Sequence, residues 1–149
     1  MVATRHNVLL LGVALVAGAC MDPVEPDIDY EVELAVAGGI TATDYAFEID
    51  GATGEVRGVT CVAGCDFQPD ELLAELPLSK RMALASEFDR ADFLDLTQTE
   101  YGVVCCDAFE YTLTYRKDGR ELTVHGTSDT LPAELDALVG AVREVLPAQ

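Results

Sequence analysis

The sequence lacks several features that common functions require. Tryptophan is absent, and nine Lys and Arg residues stand against 27 Asp and Glu, so the formal net charge is −18 at pH 7. Proteins that bind nucleic acid neutralise its phosphates with clustered Lys and Arg. An acidic surface is also repelled by anionic lipid. We therefore expect no nucleic-acid partner, and no membrane binding through the protein surface.

Motifs of catalysis and cofactor binding are missing as well. The chain contains no G-x-S-x-G, H-E-x-x-H, P-loop, dinucleotide or calcium-loop pattern. Of its two histidines, His125 is predicted to lie on the polar face of a strand opposite Thr112. Asp89, Asp92 and Asp95 are three residues apart, which is typical of one solvated helix face. These absences predict a non-enzymatic protein without a catalytic residue, cofactor or metal site.

No apolar run is long enough to span a membrane. The run from Val8 to Ala19 has twelve residues, whereas a spanning helix needs about 20. Behind Arg5, such a run is typical of a signal peptide. It ends in small residues before Cys20 and resembles the lipobox of bacterial lipoproteins, with Ala17 where Leu is usual. The resemblance implies that Cys20 is lipidated and becomes the mature N-terminus; ordinary signal-peptide cleavage is the alternative.

The chain therefore divides into three parts. Residues 1–19 are predicted to be a lipoprotein signal peptide, residues 20–29 a disordered acidic tether, and residues 30–149 a single domain. The mature chain would keep 130 residues, with 27 acids against eight bases and a net charge of −19. We expect an exported protein held in the cell envelope by its N-terminal lipid. Its domain would lie in the periplasm or outside the cell. The prediction does not choose between the outer and the inner membrane as the place of attachment.

Alternating apolar and polar residues dominate the first part of the domain. They predict a strand over residues 30–36 that ends at Gly38-Gly39. Residues 43–50 and 55–61 are predicted to form a hairpin around a four-residue turn. The turn sets two sensible cross-strand pairs, Ile49 with Val56 and Glu48 with Arg57.

Residues 68–96 have helical spacing instead. Pro69-Asp70-Glu71 is typical of the first turn of a helix, whose apolar side would hold Leu72, Leu73 and Leu76. Ser79 is predicted to cap a second helix that ends within residues 89–93. The apolar side of this second helix would be formed by Met82, Ala85 and Phe88.

The second hairpin has the clearest pattern. Asp118-Gly119 predicts a two-residue turn between strands that start at Phe109 and end near Val124. It pairs Tyr115 with Leu122, Leu113 with Val124, Thr114 with Thr123 and Arg116 with Glu121. A final helix is predicted from Thr130 or Pro132, because apolar residues recur every three or four positions to Leu146. The predicted fold class is α+β. Its antiparallel sheet consists of two hairpins and an N-terminal strand, with a central helical segment and a C-terminal helix packed on the sheet.

Four cysteines remain once Cys20 is assigned to lipid. An even number in an exported chain predicts two disulfides among Cys61, Cys65, Cys105 and Cys106. Three connectivities exist, and a bond between the adjacent Cys105 and Cys106 is the least favourable because it would strain the intervening peptide. Adjacent strand residues point to opposite faces, so we expect each of that pair to reach a separate cysteine of the CVAGC loop. A zinc site and a free-thiol or redox site are the alternatives.

Several segments of the domain resemble a known family. They are Cys106 to Tyr115, Asp118-Gly119-Arg120, Thr123-Val124, Leu131 to Leu135 and the Gly38-Gly39 pair. Together they are similar to the emfourin-like domain, a small α+β family whose founding activity is inhibition of thermolysin-type metalloproteases, or to a related lipoprotein domain of unknown function. The resemblance implies a binding domain that is protease-inhibitor-like, with a protease or another envelope protein as partner. A thiol or metal-binding protein that uses the four cysteines is the alternative.

Overall fold

The computed structural model describes residues 28–102 and 107–146. The predicted signal peptide, Cys20, most of the predicted tether, and both Cys105 and Cys106 lie outside these residues. The described part contains seven strands, two α-helices and one 3₁₀ turn (Phe93–Asp95). The strands are β1 (Tyr30–Gly38), β2 (Thr43–Asp50), β3 (Glu55–Ala63), β4 (Leu72–Glu75), β5 (Glu100–Tyr101), β6 (Phe109–Lys117) and β7 (Arg120–Thr127), and the helices are α1 (Leu78–Arg90) and α2 (Ala133–Val145).

The strands form one mixed sheet in the order β4-β3-β2-β1-β6-β7-β5. The prediction of an α+β fold with a sheet and helices is confirmed. The predicted sheet, however, was wholly antiparallel, whereas β5 runs parallel to β7. The N-terminal strand is also more than an addition to the sheet, because β1 pairs with both β2 and β6 and joins the two hairpins.

Both predicted hairpin registers are confirmed. Ile49 lies opposite Val56, and Glu48 opposite Arg57. In the second hairpin, Tyr115 lies opposite Leu122, and the other three predicted pairs follow in step. Asp118 (φ 52°) and Gly119 (φ 72°) both adopt positive φ, as the predicted two-residue turn requires.

The predicted helix after Pro69 is wrong. Asp70 has a φ of 64°, which no helical first turn allows, and residues 72–75 pair with β3 as the short edge strand β4. The N–H of Leu76 then donates to the carbonyl of Gly54 at 2.7 Å. Backbone groups of β3 offer partners to this segment, and such tertiary pairing outweighs a short helical spacing of leucines.

The second predicted helix is present as α1, with two corrections. Pro77 precedes the helix and no side chain caps it, so Ser79 lies inside the first turn instead of capping it. Its buried residues are Leu84 and Phe88, whereas the side chain of Met82 is 48% exposed. The third predicted helix is confirmed as α2, which buries Leu135, Leu138, Val139 and Val142.

The core lies between the two helices and one face of the sheet. The central strand β1 supplies every second residue to it, namely Tyr30, Val32, Leu34 and Val36. At its middle, the ring of Tyr115 stacks on Phe88 with centroids 4.1 Å apart, and Phe93 meets both rings edge-on. Burying one such side chain contributes about 1.5–3 kcal/mol. This packing joins the two helices and one face of the sheet in a single core.

Candidate interaction surface at one end of the sheet

The turn between β1 and β2 holds one exposed apolar side chain in a defined loop. Gly38 and Gly39 adopt positive φ (86° and 71°), and a Cβ on Gly39 would lie 2.6 Å from the ring of Phe109. The N–H of Gly39 donates to the carbonyl of Ala108 at 3.2 Å. Ile40 follows with its side chain 86% exposed. Only glycine fits this close approach, so the pair both ends the strand and orients Ile40 toward solvent.

A second exposed apolar side chain lies on the last part of β3. Cys61 is opposite Tyr45 and Ala63 is opposite Asp44, so Val62 is the extra residue of a β-bulge. Its side chain is 75% exposed. A disulfide joins Cys61 to Cys65, with Cα atoms 5.9 Å apart, and closes a five-residue ring around Val62. A ring of this size stabilises the folded chain by about 2 kcal/mol.

These two side chains belong to the same end of the sheet. β2 begins at Thr43, directly after the turn that carries Ile40. A Cβ on Gly64, within the disulfide ring, would lie 3.0 Å from the hydroxyl oxygen of Thr43. The turn and the ring therefore touch. We call residues 38–43 and 61–65 the tip surface.

The disulfide corrects the expected cysteine pairing. Cys61 and Cys65 are bonded to each other, and not each to one of Cys105 and Cys106. The bulged end of β3 brings the Cα atoms of Cys61 and Cys65 within 5.9 Å of each other, a separation that a disulfide can bridge. Bonded sulfurs also offer no thiolate to a metal, so this pair cannot supply half of a four-cysteine zinc site in this state. Cys105 and Cys106 lie outside the described residues, and the pairing predicted for them with Cys61 and Cys65 is wrong because those two are bonded to each other.

The face of the sheet opposite the helices is rich in carboxylates. Arg116 contacts Glu31 and Glu121 and lies 3.8 Å from Glu33. Desolvation, reinforced by the charges of Glu31 and Glu33, raises the pKa of Glu48. Ion pairs as exposed as these contribute little to stability. This face is thus a polar surface whose like charges are only partly offset.

His125 lies where the sequence predicts, opposite Thr112 on β6. Its Nδ1 is 2.9 Å from the hydroxyl oxygen of Thr112, and both residues line an open groove of about 370 Å³ beside Glu100 and Glu110. Within residues 28–102 and 107–146, no carboxylate forms an ion pair with His125. Catalytic histidines are normally oriented by a carboxylate or a similar partner, whereas the side-chain hydrogen bond of His125 here is the one to the Thr112 hydroxyl.

The three regularly spaced aspartates do not share a helix face. α1 ends at Arg90, and Asp92 adopts positive φ (47°) beyond it. Asp89 pairs with Lys117 at 2.8 Å, and Asp95 with Arg120 at 2.6 Å. Among the residues that the structure describes, no group of three or more His, Cys, Asp or Glu side chains could hold a metal ion.

Comparisons with known proteins add no family. No protein-family model matches the chain, and no curated protein matches it either. In the described part of the chain, neither α-helix is long and apolar enough to cross a membrane.

The exposed residues of the tip surface were not singled out from the sequence. Ile40 follows a glycine pair in a turn, where a large apolar side chain has no core to enter, and that placement was a usable signal. Val62 gave no such signal, because its exposure depends on a bulge. A strict alternation along β3 does not predict a bulge.

Proposed function

We propose that this protein is a membrane-tethered, non-enzymatic binding domain whose tip surface contacts a partner protein. The observation that carries the proposal is the pair of exposed apolar side chains, Ile40 and Val62, at one end of the sheet. Apolar side chains that become buried in an interface favour protein association. Ile40 and Val62 both lie in segments that approach each other where Gly64 meets Thr43.

The way these side chains are held favours binding. The hydroxyl oxygens of Thr41 and Thr43 are 2.8 Å apart, and the N–H of Ala42 donates to the carbonyl of Gly39 at 3.1 Å. The disulfide between Cys61 and Cys65 holds Val62 within a covalently closed ring. Loops ordered before binding lose less conformational entropy when a partner docks. The tip surface is therefore suited to insertion into a cleft.

The partner class follows from the resemblance to emfourin-like domains. A protease of the thermolysin type offers a cleft that protruding apolar loops can fill, and another envelope protein with such a cleft fits equally. The Gly38-Gly39 pair is among the segments that carry the resemblance, and it adjoins Ile40 in the tip surface. We assign the inhibitor-like contact to this surface.

The inhibitor version is tested with the purified domain and a panel of thermolysin-like proteases. Micromolar domain should slow at least one protease, and Ile40→Ser combined with Val62→Ser should weaken that inhibition by about tenfold or more. Met82→Ser is the matched control, because Met82 is also exposed but lies on α1. If no protease is slowed, the inhibitor version is wrong.

The tether rests on Cys20. We propose that this residue carries the lipid and anchors the domain in the cell envelope, where several acyl chains give stable attachment. Cells fed a labelled palmitate should incorporate it into the wild-type protein and not into Cys20→Ser. Label retained by the variant would place the lipid elsewhere, and an unlabelled wild type would favour ordinary signal-peptide cleavage.

A further inference from the structure

The two ends of strand β1 adjoin different parts of the molecule. Tyr30 begins β1 directly after the predicted tether, and Gly38 ends it in the tip surface. The N–H of Gly51 donates to the carbonyl of Tyr30 at 2.7 Å, and Lys117 lies opposite Tyr30 on β6. Both hairpin turns therefore lie at the start of β1. We call Tyr30 and the turns at residues 51–54 and 118–119 the tether end.

The tip surface lies at the far end of the same strand. β1 has nine residues, and a strand rises about 3.3 Å per residue, so the tether end and the tip surface are about 27 Å apart. β2 runs back between the same two places, from Thr43 in the tip surface to Asp50 beside the first turn. A lipid on Cys20 would thus attach the domain by the end opposite the tip surface. Since the chain from Cys20 to Tyr30 spans at most about 35 Å, the tip surface can stand up to about 60 Å from the membrane.

The basic residues are distributed in the same sense. Arg5 belongs to the predicted signal peptide, and five of the other eight bases adjoin the tether end, namely Lys80, Arg81, Arg116, Lys117 and Arg120. They pair with carboxylates such as Asp89 and Asp95 and so offset part of the negative charge there. The tip surface contains no charged residue, and the residues that follow its two segments, Asp44 and Asp66, are acids. Anionic lipid attracts bases, so this distribution favours the tether end as the side that faces the membrane.

Exposed apolar side chains such as Ile40 and Val62 can enter either a protein cleft or a lipid bilayer. Surfaces that lie in the bilayer interface combine apolar side chains with lysine and arginine. The tip surface has neither of these bases, and it lies at the end opposite the tether. Both observations favour the protein cleft.

We propose that the tip surface faces away from the membrane and engages a partner protein whose cleft lies in the aqueous compartment, and not the bilayer to which the domain is anchored. The inference rests on the proposed function, and it specifies where the partner is met. The body of the domain acts as a spacer between the anchor and this contact.

Energy transfer to labelled vesicles measures the orientation. The mature chain is attached through an N-terminal histidine tag and a nickel-chelating lipid to vesicles of phosphatidylcholine and phosphatidylglycerol, so the result does not depend on lipidation of Cys20 in cells. An azide-bearing residue that carries the donor dye replaces either Ala52 at the tether end or Thr41 in the tip surface, both of which are exposed. The acceptor dye is on lipid headgroups. Transfer should be at least about twofold more efficient from residue 52, because the two positions are about 25 Å apart along β2. Equal transfer from both positions, or stronger transfer from residue 41, would overturn the proposal.

Sedimentation with the same vesicles separates a protein cleft from the bilayer. The domain without its tag should stay in the supernatant, and Ile40→Ser combined with Val62→Ser should not change this. Met82→Ser is the matched control, because Met82 is exposed but lies on α1. Sedimentation that the wild type and Met82→Ser share and the double variant loses would assign the tip surface to the bilayer and contradict the proposal.

The orientation and the proposed function fail separately. Transfer and sedimentation as expected, together with no inhibition of any protease, would remove the inhibitor version and leave the orientation. Stronger transfer from residue 41, together with protease inhibition that is sensitive to Ile40→Ser, would leave the proposed function and remove the orientation.

Discussion

The helix-covered side of the sheet and the tip surface hold apolar residues in opposite ways. In the covered side, Phe88 and Tyr115 stack within a continuous core and are almost fully buried. In the tip surface, Ile40 and Val62 point outward from a braced turn and a disulfide ring. Buried apolar area stabilises the fold, whereas apolar area held outside the core does nothing for the fold. The core therefore carries the stability of the domain, and we propose that the tip surface serves a partner.

The largest effect should come from breaking the covered side. Phe88→Ala removes the ring that stacks on Tyr115 and leaves a cavity, so the free energy of unfolding should fall by about 3–5 kcal/mol. Met82→Ala on the same helix is the control, since that side chain is half exposed, and should change stability by less than about 1 kcal/mol. Urea denaturation measures both, and similar losses would mean that the core is not centred on Phe88.

A smaller effect is expected at the turn that carries Ile40. Gly39→Ala places a methyl group against Phe109 at positive φ, whereas Gly119→Ala meets the same φ penalty with nothing within 4 Å. We expect a loss of about 1 kcal/mol for Gly119→Ala and about 1–2 kcal/mol more for Gly39→Ala. Thermal denaturation of the two variants isolates the contact with Phe109. Equal losses would show that this contact does not shape the turn.

The smallest effect concerns the polar face of the sheet. Desolvation and the nearby Glu31 and Glu33 raise the pKa of Glu48 in the folded protein. The folded state therefore binds the proton more tightly than the unfolded state, and this stabilisation is lost as pH rises through the folded pKa. At pH 7, Glu48→Gln should raise the free energy of unfolding by about 0.5 kcal/mol.

The same variant carries its own check. Below about pH 4, where an ordinary glutamate is protonated, wild type and Glu48→Gln should unfold at the same urea concentration. Glu144→Gln, which changes the same charge on α2, should show no comparable gain at pH 7. A gain that persists at low pH would assign the effect to packing instead of charge.

Local signals explain which parts of the fold could be predicted. The Asp118-Gly119 turn sets the register of its hairpin from residues that are neighbours in sequence, and the apolar stripe of α2 repeats often enough to be unambiguous. The strands β4 and β5 carry no such signal. Each is only two to four residues long, and each is a strand because a neighbouring strand offers hydrogen-bond partners. The false helix at Pro69-Asp70-Glu71 arose where local spacing and tertiary pairing disagreed.

Composition and nearby residues are enough to set the acidic character, the α+β class, the two hairpin registers and the closing helix. The tertiary contacts, by contrast, set the bond between Cys61 and Cys65 and the exposure of Val62 in a β-bulge. Those features depend on which strands meet and where pairing stops. Strand pairing depends on contacts between segments that are far apart in sequence, and a repeating pattern along the chain does not predict such contacts.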